Sequence, residues 1–170
     1  ILNEQNDGIL YKKEGTGQIL SNPSYNNFTL WTNLKYDSNL PTMGNTDEHT
    51  QQRSGVQIRF SNGKIWHIDL LKQKDSYILQ YAKISGNNSV TGWQTIHTLS
   101  AGQIGRYTSK DGIQLSVMRQ GNYAAIWLGD ELIKIEILDT QYRACSAQLG
   151  LESWASNREL LKVPFSIQNH

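Results

Sequence analysis

Residues 55–70 read Gly55-Val-Gln-Ile-Arg-Phe60, then Ser61-Asn62-Gly63, then Lys64-Ile-Trp-His-Ile-Asp-Leu70. An Asn-Gly pair between stretches that alternate apolar and polar residues is the strongest short-range signal for a β-hairpin. Both turn positions need a positive φ angle, which Asn and Gly adopt most easily. The stretch therefore predicts two antiparallel strands joined by a tight turn at Asn62-Gly63.

Alternation along these two strands assigns their side chains to opposite faces of a sheet. The apolar face, including Trp66, is expected to pack into a core, and the polar face is the place to look for a functional site. The apolar face consists of Val56, Ile58, Phe60, Trp66, Ile68 and Leu70, and the polar face carries Gln57, Arg59, His67 and Asp69.

The same pattern continues along the chain and predicts an all-β fold. No sustained helical period is present. About a dozen short strands favour a two-sheet antiparallel β-sandwich of jelly-roll type. The predicted strands after the hairpin are Asp75–Lys83, Ile113–Arg119, Tyr123–Leu128 and Glu131–Ile137, with end strands at Phe28–Tyr36, Gln148–Trp154 and Glu159–Ile167.

Length and composition limit the class of protein. The 170 residues suffice for one domain with its own core, so residues 1–170 are predicted to form a single domain. Sixteen Lys and Arg against fifteen Asp and Glu give a formal charge of +1, which disfavours nucleic acid as a partner. The single cysteine, Cys145, excludes an intramolecular disulfide and a cysteine-based zinc cluster.

The sequence also bears on localisation. No apolar run approaches the roughly 20 residues that span a bilayer, so membrane insertion is not expected. Ile1-Leu-Asn-Glu4 lacks the basic start and apolar middle of a signal peptide. Abundant Asn, Gln, Ser, Thr, Gly and Tyr with only 18% charged residues favours a secreted or cell-surface β-domain.

A long polar segment, Asp37–Ser54, interrupts the strand pattern and is predicted to be a loop over one rim of the sandwich. Asp37 and Asn39 open this segment, and Asp47, Glu48 and His49 lie within it, so oxygen ligands for a structural Ca²⁺ ion are available. Asp and Asn are also common in loops for reasons of turn geometry alone. The sequence therefore leaves calcium open, names no metal ligands, and implies no other cofactor.

The predicted polar face mixes aromatic, amide, guanidinium and carboxylate groups. Sugars are bound by this mixture, since hydroxyl groups need paired donors and acceptors and the C–H face of a sugar ring packs on an aromatic ring. The alternative is a solvated outer sheet with weak surface ion pairs. Asn33 and Gln148 are assigned to this face, together with the candidate ligand-binding residues Trp31, Gln57, Arg59, His67, Asp69, Tyr81, Glu152 and Trp154.

The sequence contains no clear motif of a glycosidase or of a serine hydrolase. Sandwich glycosidases place carboxylates on alternate residues of one strand, and Glu136-Ile-Leu-Asp139 has the wrong spacing for this, because positions three apart fall on opposite strand faces. Asp69 and Glu152 could face each other across the sheet as a two-carboxylate site. No Gly-x-Ser-x-Gly elbow is present. The chain is therefore expected not to be an enzyme.

Two stretches carry a resemblance to a known fold family. In residues 112–132 a strand ends in Arg119, a Gly121-Asn122 turn follows, and the next strand ends in a Gly129-Asp130 turn; in residues 147–163 a Gly150-Leu-x-x-Trp154 strand precedes an edge strand. The chain resembles concanavalin A-like, laminin-G-like sandwiches, and most of all the family-66 carbohydrate-binding modules of secreted glycosidases. The resemblance implies sugar binding on one sheet face or rim without catalytic residues. Only Glu152 and Trp154 match the family's strand and are carried over as ligand candidates.

These observations predict a non-catalytic carbohydrate-binding module within a larger secreted or cell-surface protein. Its expected partner is an oligo- or polysaccharide, such as the end of a fructan or galactan chain. One alternative is a laminin-G-like adhesion domain that binds a protein receptor through the Asp37–Ser54 loop. Another is a glycoside hydrolase of sandwich fold that uses Asp69 and Glu152.

Overall fold

The computed structural model describes residues 8–11, 15–34, 52–73, 76–86, 92–110, 112–155, 160–163 and 165–169. Helical structure in these ranges is limited to a 3₁₀ turn at Gln103–Tyr107 and one short α-helix, α1 (Thr140–Arg143). The strands are β1 (Gly8–Tyr11), β2 (Gly15–Tyr25), β3 (Phe28–Leu34), β4 (Gln52–Phe60), β5 (Lys64–Lys72), β6 (Ser76–Ser85), β7 (Gln94–Ser100), β8 (Thr108–Ser109), β9 (Gly112–Gln120), β10 (Tyr123–Leu128), β11 (Glu131–Ile137), β12 (Ala147–Ala155), β13 (Leu160–Val163) and β14 (Phe165–Asn169).

The strands form two large sheets, in which all neighbours are antiparallel. Sheet A has the order β2-β12-β4-β5-β6-β7. Sheet B has the order β11-β10-β9-β3-β14, with β8 also paired to β9. Strands β1 and β13 form a separate two-stranded ribbon. The predicted all-β, two-sheet sandwich is confirmed.

The hairpin with its turn at Asn62-Gly63 forms as predicted. Strands β4 and β5 pair in the register Ile58 with Trp66 and Gln57 with His67. Gly63 has a φ of +85°, and the Asn62 side-chain oxygen accepts a hydrogen bond from the Lys64 amide at 3.0 Å. The turn residues are therefore those that the backbone geometry demands.

The two sheets pack face to face around one apolar core. Phe60, Trp66 and Tyr142 close one end, with ring centroids 4.8–5.1 Å apart. Trp66 is 4% exposed, so its predicted core position is confirmed. Fully or almost fully buried side chains from both sheets include Ile58, Ile68 and Leu70 of sheet A and Leu30, Leu115 and Val117 of sheet B.

Some predicted element boundaries are wrong. The Asp37–Ser54 loop ends earlier, because Gln52–Ser54 already pair with β5 and β12 as the start of β4. The predicted Glu159–Ile167 strand is two strands, β13 and β14, which pair with β1 and β3. Pro164 stands between them and lacks the N–H that a continuous ladder needs.

No helix among the described residues has the length and apolar character needed to cross a membrane.

Candidate functional site

The polar face predicted on β4 and β5 exists, and β12 contributes to it from the other side of β4. Gln57 lies opposite His67, and Gly55 lies between Asp69 on β5 and Glu152 on β12. These side chains project from the face of sheet A that is turned away from the apolar core. We call Gln57, His67, Asp69 and Glu152 the buried polar cluster.

Gly55 allows the two acidic side chains to approach each other. A Cβ atom at this position would lie 2.0 Å from the Ile68 carbonyl oxygen and 2.5 Å from Asp69 Oδ1. Both separations are far below van der Waals contact, so only glycine fits. Asp69 and Glu152 meet over this gap in a side-chain hydrogen bond.

Glu152 is the centre of the cluster. Gln57 Nε2 donates to Glu152 Oε2 at 2.7 Å, and His67 Nδ1 lies 2.6 and 2.8 Å from the two carboxylate oxygens. Arg59 Nε donates to Gln57 Oε1 at 2.8 Å. The guanidinium of Arg59 is thus connected to Glu152 through one amide side chain.

Burial of the cluster contradicts the alternative of a solvated outer sheet. Gln57, His67, Asp69 and Glu152 are between 1% and 5% exposed. An isolated charge at this depth costs several kcal/mol, so hydrogen bonds between the members must compensate.

Two further residues contact the cluster. The Trp93 ring meets the His67 ring edge to face, with centroids 6.2 Å apart. The Arg53 guanidinium lies 4.9 Å from the centre of the Trp93 ring, and its Nε is 3.8 Å from Asp69 Oδ2. Arg53 thus brings a positive charge next to the carboxyl pair.

The environment shifts the protonation of all three titratable members. Burial raises the pKa of Asp69 well above its usual value, and the neighbouring Glu152 raises it further. Burial also raises the pKa of Glu152, against the hydrogen bonds from Asp69 and Gln57. Burial lowers the pKa of His67 to about 4, despite the attraction of Asp69. We infer that at neutral pH His67 is neutral and the carboxyl pair retains a proton that an isolated carboxyl group would lose.

Two buried polar atoms of the cluster have no hydrogen-bond partner among the described residues. They are His67 Nε2 and Asp69 Oδ1. Because neutral His67 donates its Nδ1 proton to Glu152, its Nε2 is left as an acceptor.

An open groove adjoins the cluster at the β4 end that leads into the hairpin. Ser24, Gln148 and Arg59 lie side by side on β2, β12 and β4. The groove has a volume of about 300 Å³, and its other lining residues are Phe60, Ser61, Gly63, Ile65 and Gly86. Arg59 therefore belongs both to the groove and, through Gln57, to the buried polar cluster.

Two of the predicted ligand residues lie elsewhere. Trp31, like Asn33, belongs to β3, so it lies on the outer face of sheet B. Tyr81 pairs with Ile68 and packs against the apolar core, so its predicted place on the polar face is wrong. Its neighbour Gln80, paired with Asp69, is the β6 residue that shares that face.

The remaining predictions for this site concern residues that the structure describes only in part or not at all. Trp154 pairs with Arg53, two positions along β12 from Glu152, and its side chain lies outside the described part of the structure. Asp47, Glu48 and His49, the residues considered for calcium, also lie outside the described residues. Within the described ranges, no group of three or more His, Cys, Asp and Glu side chains is arranged to hold a metal ion.

Sequence reasoning missed Arg53, Gly55 and Gln80 as parts of this site. A signal was present for Gly55, because a glycine inside a strand often marks the close approach of another group. Arg53 shares the alternation of Gly55 and Gln57, but the predicted loop boundary hid it.

No protein-family model and no curated protein matches the sequence. Solved structures do match. The carbohydrate-binding module CBM66 from Bacillus subtilis is 16% identical with a TM-score of 0.51, covering 91% of this chain and 81% of that one. The Crh5 transglycosylase in complex with NAG is 6% identical with a TM-score of 0.55, covering 95% of this chain and 70% of that one. The CBM2 module of the evolved Dit of Lactobacillus casei BL23 phage J-1 is 14% identical with a TM-score of 0.48, and this chain spans 65% of its length.

The fold of the chain is similar to that of CBM66. The resemblance in the sequence implied this similarity. Proteins of similar structure include both a carbohydrate-binding module and a transglycosylase. One fold thus serves for binding and for catalysis in these proteins, and the fold alone does not assign a function to this chain.

Proposed function

We propose that this chain is a non-catalytic carbohydrate-binding module that holds the end of a glycan chain in the groove lined by Ser24, Arg59 and Gln148. The observation that carries the proposal is the position of Arg59. Arg59 lines the groove, its Nε donates a hydrogen bond to Gln57 Oε1, and Gln57 Nε2 donates one to Glu152.

The groove has the chemistry that a sugar needs. A planar guanidinium donates paired hydrogen bonds to neighbouring hydroxyl groups, and the Gln148 amide and Ser24 hydroxyl can both donate and accept. Ile65 and Phe60 add apolar surface for the C–H groups of the ring. A volume of about 300 Å³ is at the small end of ligand pockets and suits one or two sugar rings.

In this proposal the buried polar cluster supports Arg59 instead of touching the sugar. Gln57, Glu152, His67 and Asp69 are too deeply buried to reach a ligand in the groove. Fixing a long side chain before binding reduces the entropy lost on association. Trp154 stays a candidate for stacking on a second sugar, and a fructan or galactan end stays the expected ligand of a secreted or cell-surface module.

The Asp69–Glu152 pair is the observation that favours the second candidate, a sandwich-fold glycosidase. The geometry of the pair disfavours glycosidase activity. The two catalytic carboxyl groups of a glycosidase flank the scissile bond and are separated by about 5–5.5 Å or more. Asp69 and Glu152 are instead hydrogen-bonded to each other and buried. Sugar release from a polysaccharide panel that is lost in Asp69→Asn or Glu152→Gln would favour the enzyme.

The adhesion alternative depends on the Asp37–Ser54 segment, of which the structure describes only Gln52–Ser54. Deleting residues 38–50 separates the two proposals, since it would abolish binding to a protein receptor and leave the Arg59 groove unchanged.

The test of the proposed function is a glycan array with the wild-type domain, with and without calcium, followed by titration of the best soluble oligosaccharide. Arg59→Ala should weaken binding by about tenfold or more, because a charge-assisted hydrogen bond contributes about 1.5–3 kcal/mol. Arg59→Lys should recover only part of this, since lysine cannot donate in the paired geometry. Arg106→Ala is the matched control, because Arg106 is 74% exposed on another part of the surface. Equal affinity of Arg59→Ala and wild type for every bound sugar would overturn the proposal.

A further inference from the structure

Trp31 lies in a row of side chains that crosses four strands of sheet B. Trp31 pairs with Ser116, Ser116 with Trp127, and Trp127 with Leu132. Their neighbours along β3, β9 and β10 are core residues, so this row lies on the outer face of the sheet. Two half-buried tryptophans therefore stand on the same face, separated by one strand that carries a serine.

The next rows continue this surface towards the edge strand β11. Met118, Ala125 and Ile135 form the second row, and Tyr123 and Ile137 end the third. Tyr123, Ile135 and Ile137 are 56%, 59% and 62% exposed. Ala125 between them is 6% exposed. Exposed apolar side chains grouped in this way often mark an interaction site.

The face also lacks charge. Its outward residues on β3, β9 and β10 include no Asp, Glu, Lys or Arg, and polar groups between the rings are hydroxyls and amides. A partner recognised through charge, such as a nucleic acid or an acidic peptide, finds no complementary group here. The outward residues are Thr29, Trp31, Asn33, Gln114, Ser116, Met118, Gln120, Tyr123, Ala125 and Trp127.

We propose that this outer face of sheet B, centred on Trp31, Ser116 and Trp127, is a second carbohydrate-binding surface that takes a neutral, extended, β-linked polysaccharide. Alternate strands of a sheet lie about 9–10 Å apart, so the two indole rings are spaced by about that distance across β9. In an extended β-1,4-linked chain every second sugar ring presents the same face, at a comparable repeat. One chain crossing the strands would stack alternate rings on Trp31 and Trp127 and place the hydroxyls between them over Ser116.

This surface is independent of the groove. It belongs to the other sheet and faces away from Arg59. The inference extends the proposed function to a second site and rests on it only for the class of ligand. A long polymer that covers several strands is the expected ligand here, whereas the groove is expected to take a chain end.

The test is a sedimentation assay of the domain with microcrystalline cellulose, chitin and insoluble β-1,3-glucan. Wild-type protein should bind at least one of these solids. Trp31→Ala and Trp127→Ala should each lower the association constant by about tenfold, as expected for a stacking anchor, and Trp31→Phe should recover part of the loss. Arg59→Ala should bind the solid as well as wild type does, and both Trp variants should retain wild-type affinity for the soluble sugar of the groove.

Each other outcome overturns the inference. Failure of the folded wild-type protein to bind any of the three solids does so, and so does equal binding by the Trp31→Ala and Trp127→Ala variants. If the wild type is a dimer by analytical ultracentrifugation and Trp127→Ala or Ile135→Asp makes it a monomer, the face is an interface between two copies of the chain. Thermal denaturation of each variant shows whether it is folded, and Trp31→Phe gives a test that does not depend on a large truncation.

Discussion

At the scale of single residues, Gly55 and the acidic pair beside it define the chemistry of the cluster. The pair exists because glycine leaves space in the middle strand, and it stays buried because Gln57, His67 and Arg53 lie around it. The space at Gly55 and the protonation of Asp69 and His67 can each be tested by substitution.

Gly55→Ala should destabilise the fold by about 2–4 kcal/mol, because the added methyl group would overlap the Ile68 carbonyl and the Asp69 side chain. Urea denaturation followed by tryptophan fluorescence measures the free energy of unfolding. Gly105→Ala is the matched control, since a Cβ atom at Gly105 meets no atom within 4 Å. A Gly55→Ala protein as stable as Gly105→Ala would show that the close approach over Gly55 is not a constraint.

Asp69→Asn should become more stable relative to wild type as the pH rises above about 4. The raised pKa of Asp69 means that the folded state holds a proton that the unfolded state has lost above its own value of 3.8, so this group lowers wild-type stability as the pH rises. Each unit by which the folded pKa exceeds the unfolded one contributes about 1.4 kcal/mol. Asparagine still donates a hydrogen bond to Glu152 and does not ionise.

His67 should change the free energy of unfolding with pH in the opposite direction to Asp69. Its pKa is lowered from 6.5 to about 4, so the unfolded state binds more protons between these values. The stability of wild type relative to His67→Gln should therefore rise with pH from about 4 to 6.5 and then level off. Urea denaturation at intervals of half a pH unit measures the free energies of unfolding of Asp69→Asn and His67→Gln relative to wild type.

A difference between Asp69→Asn and wild type that does not change with pH would contradict the assignment of a retained proton to the Asp69–Glu152 pair.

At the scale of elements, Arg119 fixes α1 and the segment after it to the end of the sandwich. This side chain is 4% exposed. It donates hydrogen bonds to the carbonyl oxygens of Tyr142, Arg143 and Cys145, at 3.2 Å for Tyr142 and 3.0 Å for Arg143. Tyr142 belongs to α1, and its ring packs against Phe60 and Trp66 of sheet A. The Arg119 guanidinium therefore connects β9 of sheet B to the aromatic cluster at the end of sheet A.

Arg119→Met should cost about 3 kcal/mol or more, because the carbonyl oxygens of Gly121, Tyr142, Arg143 and Cys145 would each lose a hydrogen bond from this guanidinium. Arg106→Met, which removes an exposed guanidinium 3.9 Å from Glu131, should change stability by less than about 1 kcal/mol. The free energy of unfolding of both variants in urea provides the comparison. Similar values for the two variants would mean that the Arg119 contacts add nothing to stability.

At the scale of the whole molecule, the parts of the fold that follow from local pattern were predictable. The β4–β5 hairpin and the β9–β10–β11 meander combine alternation with Gly-containing turns, and their strand ends were placed within one or two residues, except that β4 begins three residues before Gly55. Strand β2 was not predicted, because Gly15–Tyr25 mixes Gly, Pro and polar residues and becomes a strand by pairing with β12.

The site was predictable only in part, because alternation assigns a residue to a face of its own strand and says nothing about strand order. Glu152 meets Gln57 and His67 since β12 inserts between β2 and β4, a contact 95 residues apart for Gln57. Trp31 was grouped with them although β3 belongs to the other sheet. Tyr81 was misplaced because β6 carries apolar residues on both faces, so its pattern does not distinguish the core side.

The sandwich places the Arg59 groove and the Trp31–Trp127 surface on opposite outer faces, separated by two packed sheets about 10 Å apart and their side chains. Substitutions at sites this far apart, with no shared contact, act independently. The double variant should therefore bind the soluble sugar as weakly as Arg59→Ala does and the insoluble polysaccharide as weakly as Trp127→Ala does, with a coupling energy below about 0.5 kcal/mol in each assay. Titration with the soluble sugar and sedimentation isotherms with the solid, for the wild type, both single variants and the double variant, measure this coupling energy. A coupling energy above about 1 kcal/mol would mean that the two faces communicate through the core or bind one continuous ligand, and the molecule would then have one extended site instead of two.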